Sequence, residues 1–377
     1  MKSIHELLEV ALERRASDLV LKAGLGPVLR IDGQMVVTDL PVITADDSRE
    51  LAYGIIFSAG RDTMLNCADE PVAEKSGIDE AERRMQELQS RKEIDLVFTV
   101  PRMVRVRANL YLQRGSIGAA LRIIPLHPHG LDELRLPSVL KDMAMQPQGL
   151  IIITGPTGSG KTTTLAALIE EVNRRRSCNI FTIEDPVEYV FEDRKSVIHQ
   201  REIGRDTDSF AAALRAVMRE SPDVIAIGEL RDAGTMDVAM TASEIGHLVV
   251  ATLHTVSAAA TVTRILNCFP EHLRRFAATQ LAASLLCITS QRLVPRACGQ
   301  GRVPAVEVLT NSPTVRKQIE DGDSSELHLS MRDSQLFGMN TMNQALERLY
   351  SEKEITAAAA LQASGFSAEL KQMLRHI

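Results

Sequence analysis

The stretch GPTGSGKT, residues 155–162, has the residue types and the spacing that bind phosphate. It matches the pattern G-x-x-x-x-G-K-S/T at every fixed position, follows an apolar run and precedes an amphipathic helical pattern. Its glycines let backbone N–H groups turn toward phosphate oxygens. Lys161 reaches the β- and γ-phosphates, and the Thr162 hydroxyl is a ligand for Mg²⁺. We therefore predict that Mg²⁺ is bound at Thr162 and that the phosphates of ATP are bound by Gly155, Pro156, Thr157, Gly158, Ser159, Gly160, Lys161, Thr162 and Thr163.

Polar residues follow three further strand-like runs downstream of this loop. Glu184 and Asp185 follow the first run, Glu229 follows the second and His254 follows the third. Because ligands collect at the carboxyl ends of parallel strands, we expect these side chains to lie near the phosphate-binding loop. Phosphoryl transfer to water needs one acid that holds Mg²⁺, mostly through water, and another that orients or deprotonates the attacking water.

The stretch DVIAIGELRD, residues 223–232, raises the question of which carboxylate binds the metal. An acid for this role is expected at the carboxyl end of the strand, but Asp223 precedes the apolar run and Glu229 follows it. We interpret Asp223 as a cap or turn residue. Glu229, set after Gly228, is long enough to reach a water molecule on Mg²⁺.

The elements that must position these residues form two groups along the chain. Residues 1–125 alternate short strand-like runs with helical patterns and predict an α+β domain with an antiparallel sheet. Residues 126–137 contain prolines and a glycine and predict a linker. From residue 138 to residue 377, apolar runs alternate with helical patterns, which is typical of a parallel sheet covered on both faces. The pattern is mostly helical from about residue 270.

A charged segment interrupts the first domain at residues 67–93, where 13 of 27 side chains are charged. Opposite charges four positions apart, as in Glu80 and Arg84, favour a helix. Ala81, Met85 and Leu88 form its one weak apolar stripe. We interpret the segment as a solvated surface helix, with a docking element for a partner as the alternative.

Composition argues against several functional classes. The net charge of −6, the aromatic fraction of 3% and the absence of Trp give no reason to expect a nucleic-acid partner. The five cysteines are scattered and predict neither a disulfide framework nor a zinc site. Residues 1–15 predict an amphipathic helix rather than a signal peptide, and we expect no transmembrane segment.

The chain resembles the type IV pilus retraction (twitching motility) ATPases, the PilT/PilU group of the secretion ATPases. The resemblance covers nearly the whole chain and is carried by GPTGSGKTTTLAALI, TIEDPVEYVF with HQREIG, and SPDVIAIGELRD through ATLHT. ITSQRLVPR and LFGMNTMNQAL add to it near the C-terminus. It implies an α/β chain with a PAS-like N-terminal domain and a RecA-like P-loop ATPase domain.

Roles for individual residues follow from the same resemblance. It implies that Glu184 is the general base, that Glu229 is the acid near Mg²⁺, and that His254 senses the γ-phosphate. It also implies that arginines of the N-terminal domain reach a nucleotide across a subunit interface. The matching candidates are Arg105, Arg107, Arg114 and Arg122.

The family also implies how such a chain works. It predicts a homo-hexamer in which ATP hydrolysis drives rotation of one domain against the next. The expected partners are a pilus platform protein of the inner membrane and, as a further candidate, a paralogous retraction ATPase. The expected location is cytoplasmic, peripheral at the inner face of the bacterial inner membrane.

Three features depart from the family pattern. Val256 stands where Asn is common, the segment 67–93 is longer than expected, and 314–323 reads TVRKQIEDGD where PilT has an AIRNLI-like motif. The last feature favours the PilU-like branch, so an accessory subunit that acts through a partner ATPase is one alternative. A pilus assembly or type II secretion ATPase is another, although the tetracysteine element of the type II branch is absent from the sequence. A DNA motor on the same fold is the third.

Overall fold

The computed structural model describes residues 2–60, 74–323, 326–334, 337–365 and 367–375. Their contacts divide the chain into two units, Met1–His127 with Glu188–Val190, and Pro128–Val187 with Phe191–Ile377. The segment 126–137, predicted as a linker, has no regular helix or strand. Its side chains Leu131 and Leu136 are buried in the core of the second unit, so most of this segment is part of that unit.

The first unit is built on an antiparallel sheet. Its strands are β1 Asp18–Leu21, β2 Val28–Ile31, β3 Gln34–Val37, β4 Glu93–Val100, β5 Val104–Gln113 and β6 Ser116–Ile124, and its helices are α1 Ile4–Glu13, α2 Ala45–Gly60 and α3 Glu74–Arg91. The strand order in the sheet is β3-β2-β1-β6-β5-β4, with every neighbouring pair antiparallel.

Local signals explain the ends of these elements. Helix α1 begins with a capping box in which Ser3 and Glu6 satisfy each other's backbone N–H groups. The β2–β3 hairpin turns at Asp32 and Gly33, with φ of 50° and 88°. Two successive residues with positive φ form the turn whose twist matches that of paired strands, which is why Asp-Gly is a strong hairpin signal.

Helix α3 covers most of the charged segment, whose residues 67–73 lie outside the described residues. Ala81 and Leu88 are fully buried against α2 and the sheet, so the weak apolar stripe faces the core. Glu80 pairs with Arg83 and Arg84 at 2.7 and 3.0 Å on the outer side of the helix. Hydrogen bonds from Arg83 lower the pKa of Glu80 to about 2.

The second unit contains the remaining elements. Its strands are β7 Gly149–Thr154, β8 Asn179–Glu184, β9 Val197–Glu202, β10 Val224–Ile227, β11 Leu248–Thr252, β12 Leu285–Pro295 and β13 Arg302–Thr310. Its helices are α4 Val139–Ala144, α5 Lys161–Arg175, α6 Phe210–Val217, α7 Ala233–Glu244, α8 Ala258–Cys268, α9 Arg274–Ser284, α10 Pro313–Glu320, α11 Leu327–Asp333, α12 Met342–Ser351, α13 Ala357–Ala363 and α14 Ser367–Leu374, and a 3₁₀ turn spans Glu271–Leu273.

The sheet of the second unit is parallel except at one edge. Its strand order is β13-β12-β7-β11-β10-β8-β9, and only β13 runs antiparallel to its neighbour. Alternate residues of β7 point to opposite faces, where Ile151 and Ile153 pack with residues of α4 and α5, and Leu150 and Ile152 with residues of α6 to α9. Burial on both faces explains the continuous apolar runs in the sequence.

The region from about residue 270 is less helical than its pattern predicts. The two long strands β12 and β13 lie within it and extend the sheet beyond β7. The Ala/Leu periodicity of α9 ends at Ser284, and strand β12 begins directly after it at Leu285. Helices α12 to α14 then pack on these strands through a separate cluster that includes Val303 and Leu346.

Two further points concern the described part of the chain. No helix in it combines the length and the hydropathy needed to cross a bilayer. Its four cysteines, Cys178, Cys268, Cys287 and Cys298, are free thiols.

The packing of α3 leads to a prediction about stability. Leu88→Ala should lower the free energy of unfolding by about 2–5 kcal/mol, because it leaves a cavity where Leu88 is now fully buried. Gln86→Ala, at an exposed position of the same helix, should change it little. Chemical denaturation of the full chain, followed by circular dichroism, compares the two variants. Equal effects would contradict the packing of this helix into the core.

Candidate nucleotide-binding and catalytic site

The loop between β7 and α5 is shaped by glycines with positive φ. Gly155, Gly158 and Gly160 have φ of 139°, 76° and 89°, a backbone region that other residues rarely adopt. A Cβ at residue 155 would lie 2.4 Å from the carbonyl oxygen of Gln291, so only glycine fits there. The loop therefore wraps tightly before helix α5, whose N-terminus attracts anions.

Lys161 is held inside this loop. Its side chain is buried, and its ammonium donates to the carbonyl oxygens of Gly155 and Pro156 at 2.9 and 3.1 Å. Burial lowers the pKa of Lys161, and the nearby charge of Glu229 opposes that effect. The ammonium is thus placed where phosphate oxygens meet the loop in the predicted complex.

His254 connects Lys161 to Glu229. The Lys161 ammonium lies 3.1 Å from His254 Nδ1, and His254 Nε2 lies 3.5 Å from a Glu229 carboxylate oxygen. An ammonium can only donate, so Nδ1 accepts and the neutral ring carries its proton on Nε2, facing Glu229. The three side chains, which lie far apart in the sequence, form one polar row at the edge of the sheet.

Glu229 also pairs with an arginine of its own turn. Arg231 Nε donates to Glu229 at 2.8 Å, and a second guanidinium nitrogen lies 3.6 Å from Asp185. The guanidinium packs over the Phe210 ring, 5.9 Å from its centroid. The hydrogen bond to Glu229 raises the pKa of Arg231. No sequence pattern predicts a role for Arg231, although it stands two residues after the predicted acid.

Glu184 ends strand β8 and is nearly buried. One of its carboxylate oxygens accepts from the Thr182 hydroxyl at 2.6 Å and from the Gln200 amide at 3.1 Å. Strand β8 lies three strand spacings from β7, about 14 Å, whereas β10 lies two spacings away. Glu184 therefore starts farther from the phosphate-binding loop than Glu229 does.

The other end of strand β10 carries Asp223. Its carboxylate accepts from the backbone N–H of Asn179 at 2.8 Å, where strand β8 begins. Asn179 in turn donates its side-chain amide to the carbonyl oxygens of Glu220 and Ser221. Asp223 thus joins two strand starts at the edge opposite to the loop, as a turn residue would.

The donor set fits a nucleotide with Mg²⁺. The Ser159 hydroxyl is buried and has no hydrogen-bond partner within the described ranges, so the loop contains a polar atom that a phosphate oxygen would satisfy. The described residues contain no group of three or more His, Cys, Asp or Glu side chains able to hold a metal. The Thr162 hydroxyl and the Glu229 carboxylate suit Mg²⁺, which keeps waters and phosphate oxygens as its other ligands.

The four candidate arginines lie on β5, β6 and the turn between them. Arg105 is buried and donates to the Thr99 hydroxyl at 2.8 Å, and Arg114 is exposed in the hairpin turn. Arg107 and Arg122 lie opposite each other on neighbouring strands. Of the four arginines, one is therefore a buried strand residue, one is a turn residue, and two face each other on neighbouring strands.

Asp18 pairs with two arginines on this sheet. Asp18 of β1 pairs with Arg122 at 3.3 Å and with Arg30 of β2 at 3.2 Å. Arg107 has no ion-pair partner in the described part of the chain. Arg30, Asp18, Arg122 and Arg107 therefore form a row across four adjacent strands, which we call the arginine row, with three positive charges and one negative charge.

A parallel sheet with a glycine-rich phosphate-binding loop and acids at its carboxyl edge defines a P-loop nucleotide-binding protein. The family model for Type II/IV secretion system proteins matches residues 83–375. The chain therefore belongs to the Type II/IV secretion system protein family.

Individual relatives are similar over nearly the full length. The type IV pilus retraction ATPase PilT of Pseudomonas aeruginosa is 36% identical over 93% of this chain and 94% of its own length. The type IV pilus ATPase PilU of the same organism is 34% identical over 98% of this chain and 91% of its own length. These relatives confirm the predicted resemblance to the PilT/PilU group, but their similar identities do not separate its two branches.

Solved structures agree with this assignment. The crystal structure of the pilus retraction motor PilT with bound ADP superposes with a TM-score of 0.81, at 39% identity, over 99% of this chain and all of that one. The ATPase DotB of Legionella pneumophila gives a TM-score of 0.78 at 26% identity, over 99% of this chain and 95% of its own. The predicted fold class, an α+β domain followed by a P-loop α/β domain, is confirmed.

The placement of Asp223 leads to a second prediction. Asp223→Ala should lower the free energy of unfolding by about 1 kcal/mol, because the Asn179 N–H loses its acceptor. ADP should raise the melting temperature of the variant as much as that of the wild type, since Asp223 lies at the opposite edge of the sheet. Thermal unfolding with and without ADP measures both effects. A variant that no longer responds to ADP would place Asp223 in the binding site.

Proposed function

We propose that this chain hydrolyses ATP and uses the energy to power type IV pilus retraction, the process behind twitching motility. The observation that carries the proposal is the polar row of Lys161, His254 and Glu229 beside the phosphate-binding loop. It occurs in a chain that is similar to pilus retraction ATPases over nearly its whole length. The row joins a phosphate-binding cation to an acid suited to a metal, as ATP hydrolysis requires.

In this proposal the loop binds the triphosphate. Its backbone N–H groups and Lys161 contact the β- and γ-phosphates, and residues 155–163 surround them. The Thr162 hydroxyl and Glu229, the latter through water, would hold Mg²⁺, which would offset the charge that develops on the phosphate oxygens. Binding of phosphate at Lys161 would replace the carbonyl contacts of its ammonium.

Glu184 acts as the general base in the same scheme. The Thr182 hydroxyl and the Gln200 amide donate to the same oxygen of its carboxylate, which helps to fix the orientation of the group. The carboxylate can then accept a proton from the attacking water. His254 senses the γ-phosphate, because it touches both the lysine that binds phosphate and the acid beside the metal.

We propose further that the working form is a homo-hexamer in which the arginine row serves a neighbouring subunit. Arg107 and Arg122 lie directly opposite each other, and like charges in that arrangement repel. An anionic partner would relieve this repulsion, and the triphosphate of an adjacent subunit has the right charge. Arg105, which is buried, and Arg114, in the turn, remain candidates with less support.

The proposed location is the cytoplasmic face of the inner membrane, against a pilus platform protein. A paralogous retraction ATPase is a further candidate partner. Relatives named for pilus retraction and twitching motility match 93% and 89% of this chain, whereas the type II secretion system protein HxcR of Pseudomonas aeruginosa and the putative type II secretion system protein E of Escherichia coli match 44% and 80% of it. The comparisons therefore favour a retraction motor over an assembly or secretion ATPase.

Loss of two residues should separate binding from chemistry. Lys161→Ala should abolish Mg²⁺-dependent ATPase activity, because phosphate binding loses its cation. Glu184→Gln should lower kcat by about 100-fold or more while nucleotide binding persists, since an amide cannot accept the proton of water. Phosphate release and ADP affinity are the measurements, with Asp223→Ala as the carboxylate control that keeps turnover. Full turnover in the Lys161 variant would refute the proposal.

The cellular role can be tested in the pilus-bearing host. Deletion of the gene should give hyperpiliation and loss of twitching, because pili are made but not withdrawn. The wild-type gene should restore both, and the Lys161→Ala gene should restore neither. Loss of pili would instead indicate an assembly ATPase. Full restoration by Lys161→Ala in the presence of a competent partner motor would indicate an accessory subunit.

A further inference from the structure

Gln291 lies beside the phosphate-binding loop without belonging to it. It stands on strand β12, where its neighbour Ser290 pairs with Thr154 at the end of β7. Its side chain is buried, with 2% of its surface exposed. It lies within ITSQRLVPR, a stretch that resembles the family but whose residues the resemblance gives no individual role.

The Gln291 amide makes one hydrogen bond to each side of the loop's end. Its Nε2 donates to the carbonyl oxygen of Ser159 at 2.7 Å. Its Oε1 accepts from the Thr164 hydroxyl in the first turn of α5 at 2.9 Å. An amide is both donor and acceptor, so one buried side chain ties the last residues of the loop to the helix that follows.

The backbone of the same residue confines the start of the loop. The carbonyl oxygen of Gln291 is the atom that a Cβ at Gly155 would meet at 2.4 Å, and its N–H lies 3.3 Å from the same point. Its side-chain Nε2 lies 3.2 Å from where a Cβ at Gly160 would be. One residue of β12 thus contacts both glycines that begin and end the turn.

We propose that Gln291 is a positioning residue that holds the phosphate-binding loop in its binding shape before nucleotide arrives. The proposal deepens the proposed function and rests on nucleotide binding by this loop. A loop that is already ordered loses less conformational entropy on binding, so its affinity for phosphate is higher. Gln291 acts through the loop backbone and need not contact the nucleotide.

Gln291→Met tests this, because it keeps the length of the side chain and deletes both hydrogen bonds. We expect its Kd for ADP to rise about ten-fold, as for the loss of buried amide hydrogen bonds. KM for ATP should rise with it, while kcat at saturation should change less. Hydrogen exchange at the backbone amides of residues 157–160 should become faster.

Thr289→Val is the matched control. Thr289 is fully buried two residues earlier on the same strand, and its hydroxyl has no hydrogen-bond partner in the described ranges. The Kd of the Thr289→Val variant for ADP and its hydrogen exchange at residues 157–160 should equal those of the wild type. Gln291→Glu should bind ADP more weakly than Gln291→Met, because it also places a negative charge beside Ser159 and the phosphates.

Thr164 gives an independent test from the other side of the hydrogen bond, should Gln291→Met fail to fold. Thr164→Val should raise Kd by a smaller factor, and Thr164→Ser, which keeps the hydroxyl, should restore it. Unchanged affinity and unchanged exchange in Gln291→Met and Thr164→Val would overturn the proposal. A fall in kcat with constant KM would also overturn it. Failure of the wild type to bind ADP would instead overturn the proposed function.

Discussion

The close approach of Gly155 to the backbone of strand β12 is the constraint on which the site depends. A Cβ at residue 155 would lie only 2.4 Å from the Gln291 carbonyl oxygen. The chain must therefore turn at Gly155 with φ of 139°, and this turn begins the loop that surrounds phosphate. Because β12 comes from the C-terminal part of the chain, the nucleotide loop takes its shape from a strand far along the sequence.

The charges at the edge of the sheet are arranged around one desolvated cation. Burial lowers the pKa of Lys161. Contacts with carbonyl oxygens and with His254, and the longer-range charge of Glu229, stabilise its ammonium form. Glu229 is itself shared between His254 and Arg231. A triphosphate and its metal would change every one of these contacts together, since Lys161 and Glu229 are the residues expected to meet them. In the proposed function, this coupling is how the site registers the γ-phosphate.

Local patterns predicted the parts of the fold that depend on neighbours in sequence. The loop GPTGSGKT and the strand Val224–Ile227 are where the sequence places them, because glycine spacing and an uninterrupted apolar run are local signals. The sequence pattern predicts a helical region where strand β12 lies, because β12 directly follows the Ala/Leu pattern of α9. Gln200 and Gln291 received no role, since their partners Glu184 and Ser159 are identified only by folding. A polar residue in a buried strand is the signal that would have singled out Gln291.

The distribution of cations between the two units bears on the proposed hexamer. In many P-loop enzymes one lysine and a metal do not supply enough positive charge to stabilise the phosphoryl-transfer transition state. An arginine often supplies the additional charge. In the second unit, Arg231 is near the acids but is held by Glu229 and Asp185. In the first unit, the arginine row carries three positive charges against the single charge of Asp18. In the proposed hexamer, the arginine row of a neighbouring subunit would supply this charge.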